Sequence, residues 1–200
     1  MRTERGFTRL VSFSDGVVAI AITLLVLPLV ESATDSSGDV VAFLNTNGFQ
    51  LFVFVLSFAV IGRFWFVHHQ LYENLAGYST GLVWANLLWL LTIVFLPFPT
   101  ELLITGDSDD RLRNGLYVGT MLLTSCAALL QQWIAIRSPE LQAPEARGTL
   151  RLGPYVLTTA VMAIALTISV AFPQVGLLSL LLLAVMGPIG RVLLRRQAST

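Results

Sequence analysis

Residues 9–30 read RLVSFSDGVVAIAITLLVLPLV. From Gly16 onward the run is almost wholly apolar and long enough to cross a bilayer, which takes about 20 such residues. Its first turns nevertheless hold Arg9, Ser12, Ser14 and Asp15. A carboxylate at the edge of hydrocarbon is costly unless it faces protein or water. The stretch therefore predicts a membrane helix with a polar inner turn and an apolar remainder. At 100° per residue, Ile20, Thr23, Leu24 and Leu27 follow i, i+3, i+4, i+7 and share one face. Asp15 falls about 140° around from Ile20 and points away from that face. Arg9 and Asp15 are not spaced as an i,i+4 pair, so each needs a partner from another helix or another copy.

The rest of the chain repeats the membrane signature. Of 200 residues, 55% are hydrophobic and 12% charged, with a mean hydropathy of +0.76. A soluble domain carries about a quarter charged residues. Six segments qualify as spans: 10–30, 48–71, 81–104, 112–136, 152–172 and 175–194. They predict an all-α, polytopic membrane protein with one six-helix unit over 1–200. Turn-rich connections separate the spans, and Pro173–Gln174 is the tightest of them. The N-terminal run is too long for a signal peptide and shows no small-residue cleavage site, so it reads as a retained first span. The formal net charge is zero, which offers no footprint for nucleic acid. The single cysteine, Cys126, cannot form an intrachain disulfide.

Every basic residue is arginine. Arg2, Arg5 and Arg9 flank the first span, Arg137, Arg147 and Arg151 follow the fourth, and Arg191, Arg195 and Arg196 close the chain. With six spans all three groups fall on one side, which the positive-inside rule makes cytoplasmic. Both termini are then expected in the cytoplasm of a cell with this protein in its plasma membrane, surrounded by membrane lipids. The loops on the other side are rich in Asp and Glu.

Polar residues inside the spans converge in depth. Asp15 lies near the inner end of the first helix, Arg63, His68 and His69 near the inner end of the second, and Asn86 about 8 Å into the third. This predicts a hydrogen-bonded cluster among three helices. Such contacts commonly serve as packing glue, and His68 and His69 also suit the headgroup interface beside Trp65. The apolar stripe of the first helix is equally compatible with ordinary packing or lipid contact. In the fourth span Gly115 and Gly119 form G-x-x-x-G, a pattern of close helix contact. Pro97 and Pro99 are expected to bend or end the third helix, and Gly187, Pro188 and Gly190 to kink the sixth. No H-E-x-x-H or paired-acid motif appears, and adjacent histidines point about 100° apart on a helix, so neither an enzyme nor a metal site is indicated. A secondary transporter would place polar or broken helices at the midplane of matching halves, a pattern these spans lack.

Arg9, Phe13, Ser14 and Asp15 spell R-x-x-x-F-S-D, followed by GVVAIAITLLVL. WFVHHQLY over 65–72 and NLLWLLTIVFLPFPTELL over 86–103 follow in order. Together they resemble the bacterial form of the transmembrane protein 175 family, related to the lysosomal potassium channel of animals. The resemblance covers residues 9–104. It implies a potassium-selective, leak-like cation channel with no voltage sensor and no cofactor, potassium being the permeant ion. Bacterial members carry one six-helix repeat, which implies a homotetramer with the first helix of each chain lining a central pore. On that pattern Ile20 corresponds to the hydrophobic constriction, Leu24 and Leu27 continue it outward, and Thr23 corresponds to a polar layer. Arg9, Phe13, Ser14 and Asp15, with Trp65, His68 and Asn86, correspond to the network that ties the first helix to its neighbours. Alternatives are a proton-conducting or less selective cation channel, or a small secondary transporter.

Overall fold

A computed structural model of the chain describes residues 4–34, 40–105 and 110–172. These form eight α-helices: α1 Glu4–Leu24, α2 Leu27–Thr34, α3 Val40–Thr46, α4 Gly48–Glu73, α5 Thr80–Phe95, α6 Pro97–Thr105, α7 Asp110–Arg137 and α8 Gly153–Ala171. Among the described residues five stretches are long and apolar enough to span a membrane: Glu4–Thr34, Gly48–Glu73, Thr80–Thr105, Arg111–Arg137 and Gly153–Ala171. The chain is an all-α, multi-pass membrane protein. The sixth expected span, 175–194, lies outside the described residues.

The first span corrects the expectation of one straight helix over 10–30. It starts at Glu4, and α1 stops at Leu24. Pro28 has no N–H to give Leu24, and its ring would crowd that carbonyl. Leu25 and Val26 instead bond back to Ile22 and Thr23 at 3.3 Å, a tight turn, and α2 restarts with Pro28 in its first turn, where the missing N–H costs nothing. Leu27 thus sits past a break, and its angle to Ile20 is no longer that of a continuous helix. The third span is broken in the same way: α5 ends at Phe95, Leu96 bonds to Ile93, and Pro97 opens α6. Here the bend expected at Pro97 is present. The helix α3, with sequence VVAFLNT, lies between the first two expected spans.

In lipid the tails are as apolar as the side chains, so helix association rests on close packing and interhelical hydrogen bonds. The buried face of α1 shows both. Ser14, Val18 and Ala21 recur in steps of four and three, with buried Leu25 just past the helix end, and α1 packs on α4 and α5. The small Ser14 and Ala21 let the backbones approach. Val53 and Ile61 of α4, Trp89 and Ile93 of α5, and Tyr117 and Met121 of α7 fill the centre. The helix α8 packs along α7, and its Tyr155 hydroxyl reaches Val67 O of α4 at 3.5 Å.

One end of the bundle gathers the start of α1 and two loops. A Cβ on Gly6 would come within 2.6 Å of the Tyr78 hydroxyl, so α1 runs hard against the α4–α5 loop. That loop pairs with the α7–α8 loop through Ala76 N–H to Leu141 O at 2.8 Å and Ala143 N–H to Asn74 O at 2.9 Å. This amino-terminal face carries Arg5, Arg9, Arg137, Arg147 and Arg151. The opposite, far face carries α2, α3 and α6.

Candidate functional site

Two adjacent residues of α1 are clamped by α4 and α5. The Ser14 hydroxyl donates to Leu10 O at 2.9 Å, one turn back on its own helix. Its oxygen is then free to accept, and Asn86 Nδ2 donates to it at 2.8 Å. That fixes the amide so that Asn86 Oδ1 faces His68 Nε2 at 2.8 Å, which makes Nε2 the protonated ring nitrogen. The His68 ring is sandwiched between Trp89 and Tyr72, at centroid distances of 4.1 and 4.3 Å. Ser14, His68 and Asn86 are all buried. One turn earlier on α4, Trp65 Nε1–H donates to Asp15 Oδ1 at 2.8 Å. Neighbouring side chains on α1 point about 100° apart, while Trp65 and His68, three apart on α4, point about 60° apart and lie on one side of that helix, so both contacts form together.

The cluster is wider than the sequence indicated and also leaves some expected members out. Tyr72 donates to Gln131 Oε1 at 3.0 Å, which carries it to α7. His69 turns away from Asn86, stacks on Trp65 at 5.2 Å and meets Glu73 at 3.2 Å. Arg63 is exposed. Arg9 is exposed and pairs with no described residue, and Phe13 is 55% exposed. These two members of R-x-x-x-F-S-D therefore do not join Ser14 and Asp15 within one chain. A second buried polar group, toward the far face, links α4, α6 and α7: Thr100 Oγ1–H donates to Ser57 at 3.2 Å, and Ser57 and Tyr117 share a bond of 2.9 Å.

Locking one face of α1 turns the other outward. Phe13, Gly16, Ile20, Thr23 and Leu27 recur in steps of three, four, three and four, and all are exposed, with Leu24 beside them. Ile20 is 62% exposed, against 2% for Val18 two residues earlier. Thr23 has its hydroxyl proton directed at Ile20 O, 2.7 Å away. Among the described residues no group of three or more His, Cys, Asp or Glu side chains could hold a metal ion.

Residues 9–97 match the family described as the endosomal/lysosomal potassium channel TMEM175. A potassium channel of Streptomyces collinus is 34% identical over 149 residues, 70% of this chain and 72% of that protein. The endosomal/lysosomal proton channel TMEM175 of Mus musculus is 35% identical over 97 residues, 44% of this chain but 19% of the mouse protein. In three dimensions the chain is similar to the crystal structure of a lysosomal potassium-selective channel TMEM175 homolog from Chamaesiphon minutus. The TM-score is 0.75 at 25% identity, covering 92% of this chain and 97% of that one.

Proposed function

Since the chain belongs to the TMEM175 family, a family of ion channels and not of enzymes, we propose that it forms a potassium-selective, leak-like channel from four identical copies, each lining a central pore with the exposed face of α1. The observation that carries this reading is the two-sided character of α1. One face is fixed by Ser14 and Asp15 to Asn86 and Trp65, and the other presents Ile20, Thr23 and Leu24 to whatever lies outside the chain.

Four such faces around an axis make an apolar ring at Ile20, continued by Leu24 and, past the break, by Leu27. A ring of this kind passes ions only when wide enough to stay wet. No T-V-G-Y-G loop occurs, so a backbone-carbonyl filter is not expected. Thr23 supplies four hydroxyl oxygens whose protons are engaged in-helix, a partial substitute for an ion's water shell. The arginine-bearing amino-terminal face is placed in the cytoplasm by the positive-inside rule. With the sixth span this puts both termini inside, in the cell membrane.

Potassium flux from purified protein in liposomes tests the reading. Flux no faster than in empty liposomes overturns it. Ile20→Asn, which hydrates the ring, is expected to weaken discrimination of potassium from sodium. Unchanged discrimination would remove Ile20 from the filter. The name of the mouse relative supports a second reading, proton conduction through the same pore. Proton flux without potassium flux in the same vesicles would favour it.

A further inference from the structure

Past Thr23 the first span is held unevenly. Leu25 is 3% exposed and sits in the core, so the end of α1 is fixed by the bundle. The N–H groups of Leu25 and Val26 reach Ile22 O and Thr23 O at 3.3 Å, just beyond the usual range, so the turn there is loosely bonded. The helix α2 that follows has no buried residue. Its Pro28, Leu29 and Ser32 are half-buried, while Leu27, Val30 and Glu31 are exposed. The Ser32 hydroxyl ties α2 to α4 by donating to Gln50 Oε1 at 3.0 Å. Gln50 lies in the first turn of α4 and is 6% exposed, a buried polar side chain that the network around Ser14 and Asp15 does not use. A second contact works against this tie. The Glu31 carboxylate stands near enough to that of Glu101 on α6 for the two charges to repel. Glu101 Oε2 is buried with no hydrogen-bond partner among the described residues.

We propose that the hydrogen bond from Ser32 to Gln50 is a latch, which holds α2 back against α4 and so sets the width of the outer part of the pore, with Leu25 and Val26 as its hinge. Gln50 is then a positioning residue that acts on permeation through Ser32. The proposal rests on the pore reading above. On that reading Ile20, Thr23 and Leu24 lie before the hinge, on a helix fixed at Ser14 and Asp15, whereas Leu27 and Val30 lie beyond it. Different side chains therefore set the two parts of the lining. At 100° per residue Ser32 points about 140° away from Leu27 and about 160° away from Val30. Holding Ser32 against α4 thus turns Leu27 and Val30 toward the axis while keeping α2 clear of it. When the bond opens, repulsion between Glu31 and Glu101 pushes α2 off the bundle and inward. Val30 stands about 6 Å past Val26, so it moves further than Leu27 does. An apolar mouth that narrows in this way loses its water and stops passing ions.

Potassium flux from liposomes holding the full chain, together with disulfide formation in membranes, tests the latch. Ser32→Ala and Gln50→Leu each remove the bond and are expected to lower flux by up to about five-fold, the shift one interhelical hydrogen bond exerts on a balance of two states. Ser32→Thr keeps the hydroxyl and should stay near the parent. Glu101→Gln removes the repulsion and should restore part of the flux lost in Ser32→Ala. In a Cys126→Ala background, Val30→Cys should link chains several-fold faster once Ser32→Ala is added. Thr23→Cys, before the hinge, should link at the same rate with or without it. An equal change at both positions would make the bond a prop of the whole fold and overturn the latch. Unchanged flux and unchanged Val30→Cys linking, with Thr23→Cys still joining chains, would overturn the latch and leave the pore reading standing. If Thr23→Cys never joins chains, both fall.

Discussion

Asp15 receives the indole proton of Trp65 at 2.8 Å, and this single bond tests whether the polar turn of α1 is an anchor. An interhelical hydrogen bond inside a membrane contributes about 1 kcal/mol, because the separated helices find other partners. Asp15→Ala and Trp65→Phe each remove it, so in a double-mutant cycle their losses should not add. Thermal unfolding in detergent is expected to give a coupling of about 1 kcal/mol, whereas additive losses would mean the bond holds nothing. Asp15→Asn keeps an acceptor for the indole and should fall closer to the parent. Much of this cluster was legible in the sequence, because polar groups at similar depth on three apolar helices have few places to go. His69 was misplaced for a simple reason. Depth says how far along a helix a group lies, while the partner is decided by angle, which only the packed helices fix. Gln131 was overlooked because its span also carries Gln132, and polarity alone does not say which of the two faces Tyr72.

Helix boundaries followed proline chemistry more than hydrophobic content. The expected break at Pro97 is present, while Pro28 was passed over inside a long apolar run, yet the same missing N–H ends both helices. Glycine spacing was more informative: Gly115 and Gly119 do lie at a contact, with prospective Cβ atoms 3.4 Å from Val170 and 4.0 Å from Leu166 of α8. That geometry separates two substitutions. Gly115→Ala adds a methyl at tight contact and also gains helix propensity of up to about 1 kcal/mol, so its net effect on unfolding should be small. Gly115→Leu cannot be housed without moving α8, and overpacking of this kind costs about 1–3 kcal/mol. If the two variants unfold alike, α7 and α8 are not pressed together at this point.

For the assembled molecule the question is what covers Phe13, Gly16, Ile20, Thr23 and Leu27. In a soluble protein such an exposed row would demand a partner; in a membrane lipid satisfies it equally well, so exposure alone does not decide between lipid and a pore. The opposite face of α1 narrows the choice. A helix that only faced lipid would have no need for Ser14, Asp15, Asn86, Trp65 and His68 to fix its rotation, whereas a helix on a symmetry axis presents the same residues in every copy, and a small rotation changes the ring. Disulfide formation distinguishes the two arrangements. In a Cys126→Ala background, Thr23→Cys brings four thiols around a common axis under the pore reading, and oxidation in membranes should link chains into dimers without linking them further, since each chain has one thiol. Val18→Cys, on the buried face, should give none. If Thr23→Cys stays monomeric under conditions that oxidise an exposed control cysteine, the row faces lipid, and ion flux would have to run along another path through the protein.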